Sequence, residues 1–257
     1  MKALFLRLAD VAAAIWGVLP ARLRRALALG LFVLEGRAGD PRTGLRNLFA
    51  IEDALDLAIN ERATALGRGE HPKHRLTRYH DFFVERIPDG SCVLDVGCGY
   101  GAVARSIARA RPSATVLGVE LDKSRLSAAQ AADNPPNLSF ARADATVSLP
   151  AGPWNVVVLS NVLEHIENRV GFLKALVATA RPATILVRVP LFERDWKLAM
   201  RREVGANWMS DPEHFIEHTR AEFAAEMASA GLSVVERVTL WGEIWAQCRP
   251  DAGADDA

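Results

Sequence analysis

From Cys92 onward, short apolar runs alternate with longer stretches whose apolar positions recur every three or four residues, and Gly, Pro or Asn separates each from the next. The runs at 92–96, 115–119, 138–140, 154–159 and 184–189 predict strands; the stretches at 101–110, 123–132 and 168–180 predict helices. Strict alternation of this kind implies right-handed crossovers and a parallel sheet with helices on both faces. The pattern then changes. A helical stretch at 219–230 stops at Gly231, and two strand-like runs, 232–240 and 243–248, are joined by a short turn at Gly242. So short a link forces the two strands to be antiparallel. The expected fold class is α/β, a doubly wound, seven-stranded, mostly parallel sheet with an antiparallel C-terminal hairpin and a helical N-terminal extension.

The first 70 residues read differently. Leu4, Leu8, Val11, Ile15 and Leu19 recur at helical spacing, and Leu23, Leu27, Leu31 and Leu34 mark a second helix. A third runs from Leu45 through Leu48, Phe49, Leu55, Ile59 and Leu66, and Gly67, Gly69 and Pro72 end it. Charges cut the apolar N-terminus into uncharged runs of at most eleven residues, Val11–Ala21, with Pro20 inside. A bilayer span needs about 20. Through residue 50, eight basic residues face Asp10, Glu35 and Asp40, a net +5. A cationic, Leu-rich arm over residues 1–34 suits the surface of an anionic membrane, and equally a helical cap packed on protein. The expected division is a helical extension at 1–75, a main domain at 76–250 and a disordered acidic tail at 251–257.

Composition narrows the class. Half the residues are apolar, enough for a large core, and 31 basic residues balance 31 acidic ones, so nothing steers the chain toward nucleic acid. The three cysteines, Cys92, Cys98 and Cys248, lack zinc-site or disulfide spacing, which fits a reducing cytoplasm.

Candidate chemistry gathers where strands end, because an open α/β sheet binds ligands beyond the carboxyl ends of its strands. The first strand runs into Asp95-Val96-Gly97-Cys98-Gly99-Tyr100-Gly101, where alternating glycines permit positive φ and let a ligand lie against backbone N–H groups. This spacing alone also satisfies dinucleotide binding. The second strand ends in Glu120, 19 residues after Gly101, where a carboxylate can take both hydroxyls of a ribose. Ala143-Asp144-Ala145 follows the third, and Ser160-Asn161-Val162-Leu163-Glu164-His165 the fourth. Singly, Asp95 could cap amides, Glu120 could be a solvated strand end and Asp144 a turn acid. Their joint placement argues for a site.

Over roughly residues 90–248 the chain resembles the class I S-adenosylmethionine-dependent methyltransferases, in particular the small-molecule group often called type 11. The acidic-x-Gly-x-Gly-x-Gly loop, the ribose acid Glu120, the adenine-side acid Asp144 and the post-strand segment Asn161–His165 carry the resemblance, with the closing hairpin. It implies S-adenosyl-L-methionine as cofactor, held by Asp95, Gly97, Cys98, Gly99, Gly101, Glu120, Leu121, Asp144, Ala145 and Asn161. Residues 1–89 match no general feature of the class, although His71–Phe83 is similar to what some members place over the cofactor. A nicotinamide dehydrogenase would explain the glycines and Glu120, but neither Asn161–His165 nor the hairpin.

Methyl transfer asks the protein chiefly to hold the acceptor in line with the methyl group, and an oxygen acceptor also asks for a base. His165, His214 and His218 are the candidates. His214 and His218 stand four apart, yet without an HExxH pattern solvated loop histidines are expected and no metal. The insert Pro190–His218, with Phe192, Trp196, Trp208, Met209 and Phe215 beside Arg194, Arg201 and Arg202, is where acceptor recognition is expected, by an apolar or sugar-like surface with cations for an anionic group. Asn134-Pro135-Pro136 precedes the third strand and serves as a helix stop, not as an amino-methylating acceptor motif. Two functions of different class follow: a small-molecule methyltransferase acting on an oxygen of a sugar, lipid-linked or secondary-metabolite acceptor, or a non-catalytic relative that keeps the fold as an interaction module.

Overall fold

A computed structural model describes residues 2–68 and 71–251, with the side chains of residues 2–8 and 10 outside the description. The leucine stripe at Leu4 and Leu8 and the tail 252–257 therefore lie outside the described residues, as does Gly69. The elements follow the order α1 (Lys2–Val18), α2 (Ala21–Arg37), α3 (Pro41–Leu66), α4 (Lys73–Thr77), α5 (Tyr79–Glu85), β1 (Cys92–Val96), α6 (Ala102–Ala110), β2 (Thr115–Glu120), α7 (Lys123–Ala131), β3 (Leu138–Arg142), β4 (Val156–Ser160), α8 (Arg169–Ala180), β5 (Thr184–Pro190), α9 (Trp196–Val204), α10 (Arg220–Ser229), β6 (Leu232–Leu240) and β7 (Glu243–Pro250). They fall into two compact units, one of residues 1–63 and 200–208, the other of 64–199 and 209–257. Residues 64–75 and 200–208 thus group differently from the sequence expectation.

The larger unit is built on one seven-stranded sheet in the order β3-β2-β1-β4-β5-β7-β6. The five strands β3, β2, β1, β4 and β5 pair in parallel, and β7 pairs antiparallel with both β5 and β6. The central strands are largely apolar on both faces, because both are covered, and their polar residues fall mostly at the strand ends. On one face Val93, Val116, Val156, Val158 and Leu186 meet Phe82 and Phe83 of α5 and Val103 and Ile107 of α6. On the other, Leu94, Val96, Val157, Leu159, Ile185 and Val187 meet Phe172, Leu173 and Leu176 of α8 and Phe223 and Met227 of α10. Each fully buried side chain of this size contributes roughly 1.5–3 kcal/mol. The period-2 register throws adjacent residues to opposite faces, so it also fixes which side chains at each strand end overhang the carboxyl edge.

The helix α10 opens with a capping box. Thr219 Oγ1 accepts from the Glu222 N–H at 3.1 Å, and Glu222 Oε2 accepts from the Thr219 N–H at 2.8 Å. Inside the insert 190–218, where the sequence pattern shows no periodic run, a 3-10 turn at Phe192–Arg194 and helix α9 form.

The smaller unit packs helices tightly through glycine. A Cβ on Gly44 of α3 would stand 2.1 Å from the Gly36 carbonyl oxygen of α2, so only glycine allows this approach. Phe49 is buried, and the Arg201 guanidinium lies 4.4 Å over its ring while pairing with Glu52 at 2.8 Å and Asp53 at 2.9 Å. None of the residues of α2 is buried; Leu29, Leu31 and Leu34 are each more than 60% exposed. No helix among the described residues is long and apolar enough to cross a membrane.

Candidate active site

The loop after β1 is shaped by three left-handed glycines, Gly97 at φ +65°, Gly99 at +56° and Gly101 at +74°. A Cβ on Gly101 would stand 2.6 Å from the Phe140 ring, whereas one on Gly99 would meet nothing within 4 Å. Gly101 is thus demanded by packing, and Gly99 presents bare backbone to open space. The loop is tied to β2 by two bonds: the Cys98 N–H donates to the Val119 carbonyl at 3.0 Å, and the Gly99 N–H to Glu120 Oε2 at 2.8 Å. Cys98 turns its sulfur toward Gly118, and burial pushes its thiol well above the usual range, so it is a packing residue rather than a nucleophile.

Asp95, at the end of β1, is 1% exposed and its Oδ2 has no hydrogen-bond partner. Burial pushes the carboxyl up to about 7; the Ala104 N–H opposes the shift and the Glu120 charge adds to it. A buried carboxylate oxygen left without a donor is costly, and it suits a cationic or hydrogen-bond-donating ligand. Glu120 is nearly buried, with Oε1 accepting from the Asp122 N–H at 2.8 Å. Each of its oxygens has a second lone pair, which leaves capacity for hydroxyl donors. Asp144 Oδ1 accepts from the Thr146 N–H at 3.0 Å and its hydroxyl at 2.6 Å, bonds that hold the carboxyl below its ordinary value. Leu121 is exposed and Ala145 half-buried. The glycine loop, the acids and the turn after β3 therefore follow the carboxyl ends of adjacent strands. An orphaned acid, an unobstructed glycine and two further carboxylates suit a ligand with cationic and hydroxyl groups, which S-adenosylmethionine has.

The fourth strand end supplies a different kind of site. Asn161 adopts φ +58°, rare for a residue with a side chain, and donates its Nδ2 to Glu164 Oε1 at 2.7 Å. Glu164, on the 3-10 turn Leu163–His165, is fully buried, and its Oε2 has no partner. Burial pushes that carboxyl up to about 7 as well. The Phe215 N–H donates to the Glu164 carbonyl at 2.8 Å, which docks the insert on this turn and sets the His165 and His214 rings edge to face at 4.6 Å. One ligand atom from each of Glu164, His165 and His214 lies within 4.8 Å of the others. His165 is exposed, and burial of the ring atoms together with His214 lowers its pKa. One carboxylate and two imidazoles suit a borderline divalent cation such as zinc or iron(II).

The structure corrects several expectations. His218 is fully buried and its Nε2 lies 3.0 Å from Glu226 Oε1, so it cannot meet an acceptor as a base; Glu226 also takes Arg169 at 2.6 Å. The His214 side chain is nearly buried too, 3.6 Å from Glu217, so neither is a solvated loop histidine. Arg194 is paired with the fully buried Glu217, and Arg201 with Glu52 and Asp53, which removes both from the expected anion-recognising set. Of the insert aromatics, Phe192 is buried, while Trp196 and Phe215 are 70% and 55% exposed.

Two residues escaped the sequence reading. Glu164 was carried inside a motif without a role of its own. Arg188 was hidden in an apolar strand; it pairs through two bonds with Glu243 at 2.6 and 2.5 Å and stacks 3.8 Å over the Tyr79 ring. Its signal was a lone charge amid Thr184–Pro190, a position that burial tolerates only with a partner.

Comparison with known proteins identifies the family and the fold. Residues 68–237 match the family described as methyltransferase domain. Among curated relatives, trans-aconitate 2-methyltransferase of Streptomyces avermitilis is 31% identical over 129 residues, 47% of this chain and 48% of that protein. Ubiquinone biosynthesis O-methyltransferase of Caulobacter vibrioides is 26% identical over 137 residues, 52% of this chain and 54% of the relative. The chain thus spans about half the length of the curated relatives it matches. Magnesium protoporphyrin IX methyltransferase from Synechocystis, solved with bound SAH, superposes with a TM-score of 0.54 at 16% identity, covering 70% of this chain and 83% of the other, which shows a shared fold. With a methyltransferase model matched across most of the sheet, an open glycine cradle and acids at consecutive strand ends, the chain belongs to the class I S-adenosylmethionine-dependent methyltransferase family.

Proposed function

We propose that this chain moves a methyl group from S-adenosyl-L-methionine to an oxygen of a small-molecule acceptor, a sugar, lipid-linked or secondary-metabolite compound. The observation that carries the reading is the pair of chemically distinct strand ends in one sheet: an orphaned Asp95 above an unobstructed glycine loop, and Glu164, His165 and His214 after β4. The cofactor supplies an electrophilic methyl group on a sulfonium. Asp95, Gly97, Cys98, Gly99, Gly101, Glu120, Leu121, Asp144, Ala145 and Asn161 form its holding surface, with Glu120 and Asp144 offering acceptors to hydroxyl and amino donors. His165, exposed and with a lowered pKa, takes the acceptor's proton, and His214, packed edge to face against it, positions the ring. An O-methyltransferase among the relatives supports an oxygen acceptor, and the balance of charge supports a small molecule over nucleic acid.

A second reading of the same trio is favoured by the unpartnered, fully buried Glu164 Oε2. Glu164, His165 and His214 would hold a divalent cation that binds the acceptor oxygen directly. Activity surviving exhaustive chelation selects the base; activity restored by added cation selects the metal. The primary test is calorimetry with S-adenosylmethionine, followed by incubation with labelled donor and source-cell extract. Absence of heat and of any thermal shift would leave the interaction-module reading in its place.

The arm over residues 1–34 we assign to peripheral contact with an anionic membrane. Its described outer leucines are exposed, and Arg22, Arg24 and Arg25 stand at the start of α2. Flotation with anionic liposomes should carry the full chain and leave a form lacking residues 1–34 at the bottom.

A further inference from the structure

A cavity of about 710 Å³ begins beside the glycine loop, at Tyr100 and Ala102, and runs along the outer face of α6. Its volume falls in the range of small-ligand sites. What sets it apart is the sign of its wall. His71, His74, Arg75, His80, Arg105 and Arg109 line it, and among the described residues that line it there is no carboxylate. The helix produces half of this arrangement by spacing alone: with Val103, Ala104, Ile107 and Ala108 turned to the sheet, the positions i, i+3, i+4 and i+7 from Ala102 point outward and carry Arg105, Ser106 and Arg109.

The wall is organised as well as basic. The Arg105 Nη1 donates to Asn134 Oδ1 at 2.9 Å and its Nη2 to the Tyr100 carbonyl, so the guanidinium is held in place instead of sweeping through solvent. His80 Nδ1 lies 2.7 Å from Ser106 Oγ, and His74 Nδ1 lies 2.8 Å from the Tyr79 hydroxyl and 3.3 Å from His80 Nε2. Burial, with His74 and Arg188 nearby, holds His80 down at about 4, so it serves as a neutral hydrogen-bonding group while the arginines supply charge. Arg109 is braced on the Asp133 carbonyl at 2.9 Å, with the solvent-exposed Asp133 carboxylate 3.5 Å away, and Arg75 is exposed. Guanidinium forks with imidazole and hydroxyl partners match the oxygens of a phosphate more closely than a lone carboxylate, because a phosphate can accept from several directions at once.

We propose that this cavity, which adjoins the glycine loop at Tyr100 and Ala102, is a phosphate-binding site that takes a phosphomonoester or diphosphate group, either free in solution or at the head of a lipid, while the methyl donor occupies its own cradle. Arg75, Arg105 and Arg109 bind the charge, and the His74–His80–Ser106 chain accepts or donates to its oxygens.

The test titrates inorganic pyrophosphate into the full chain saturated with S-adenosylhomocysteine, so that the donor site is already filled; donor binding is measured separately and reports on the methyltransferase reading by itself. One saturable site is expected. The double variant R75Q/R109Q, which touches only exposed guanidiniums, should bind at least tenfold more weakly, and K174Q, on the opposite face of the sheet, should bind as the wild type does. Titration that never saturates, or an equal loss in K174Q, overturns the proposal and reduces the effect to general surface charge. Phosphatidic acid vesicles form the second arm. Displacement of pyrophosphate from the wild-type site assigns the phosphate to a lipid headgroup, and absence of displacement assigns it to a soluble ester.

Discussion

The glycine loop after β1 and the turn after β4 lie in the same sheet but are made in opposite ways. The first is backbone chemistry: three left-handed glycines, N–H groups tied to β2, and one glycine left bare. The second is side-chain chemistry, a buried carboxylate and two imidazoles drawn from positions about fifty residues apart and brought together by one backbone bond, Phe215 N–H to Glu164 carbonyl. A backbone site is rigid and indifferent to most substitutions. A side-chain site can be retuned residue by residue, which suits the end to which we assign the acceptor.

If the division holds, damage to each end should show in different measurements. His165→Asn should lower kcat by about 10²–10⁴ while leaving donor affinity unchanged, as steady-state rates and calorimetry will show. An equal loss in both would merge the two ends. Glu120→Ala should weaken donor binding by about 1–3 kcal/mol, since it also frees the Gly99 and Asp122 N–H groups, and titration of the purified variant measures it. Gly101→Ala should cost about 1–3 kcal/mol of stability in chemical denaturation, because it forces a side chain to φ +74° and into the Phe140 ring.

A further effect expected is a dependence on pH. Asp95 titrates near 7 when folded and near 3.8 when unfolded, so between these values the folded state binds more protons and this carboxyl's contribution to stability falls as pH rises. Its penalty is absent below about 4 and complete above about 7. Asp95→Asn removes the penalty. The melting temperature of the ligand-free variant, relative to wild type, should therefore climb across that window, and a constant difference would mean that burial does not raise the Asp95 carboxyl.

The β1 strand, its glycine loop and the acid that ends β2 were readable from the chain because their parts are consecutive or one crossover apart and need only local geometry and handedness. The hairpin was equally plain, since Gly242 leaves no room for a crossover. His218 and Arg201 were misread for the opposite reason. Their fates depend on Glu226, Glu52 and Asp53, and charges at those positions look solvated until folding brings them to a cation. Helix α9 was missed because its apolar positions are broken by charged ones that find partners elsewhere, as Arg201 does with Glu52 and Asp53. Arg188 shows the same limit inside a strand, where a cation buried against Glu243 reads as an interruption and not as a cross-strand tie.

The contact of Gly44 with the Gly36 carbonyl has an effect beyond economy of space. Two rods that touch main chain to main chain mate at one rotational setting, with Leu48 of one laid over Gly36 of the other. The setting of one helix on the other is decided by the absence of a single methyl.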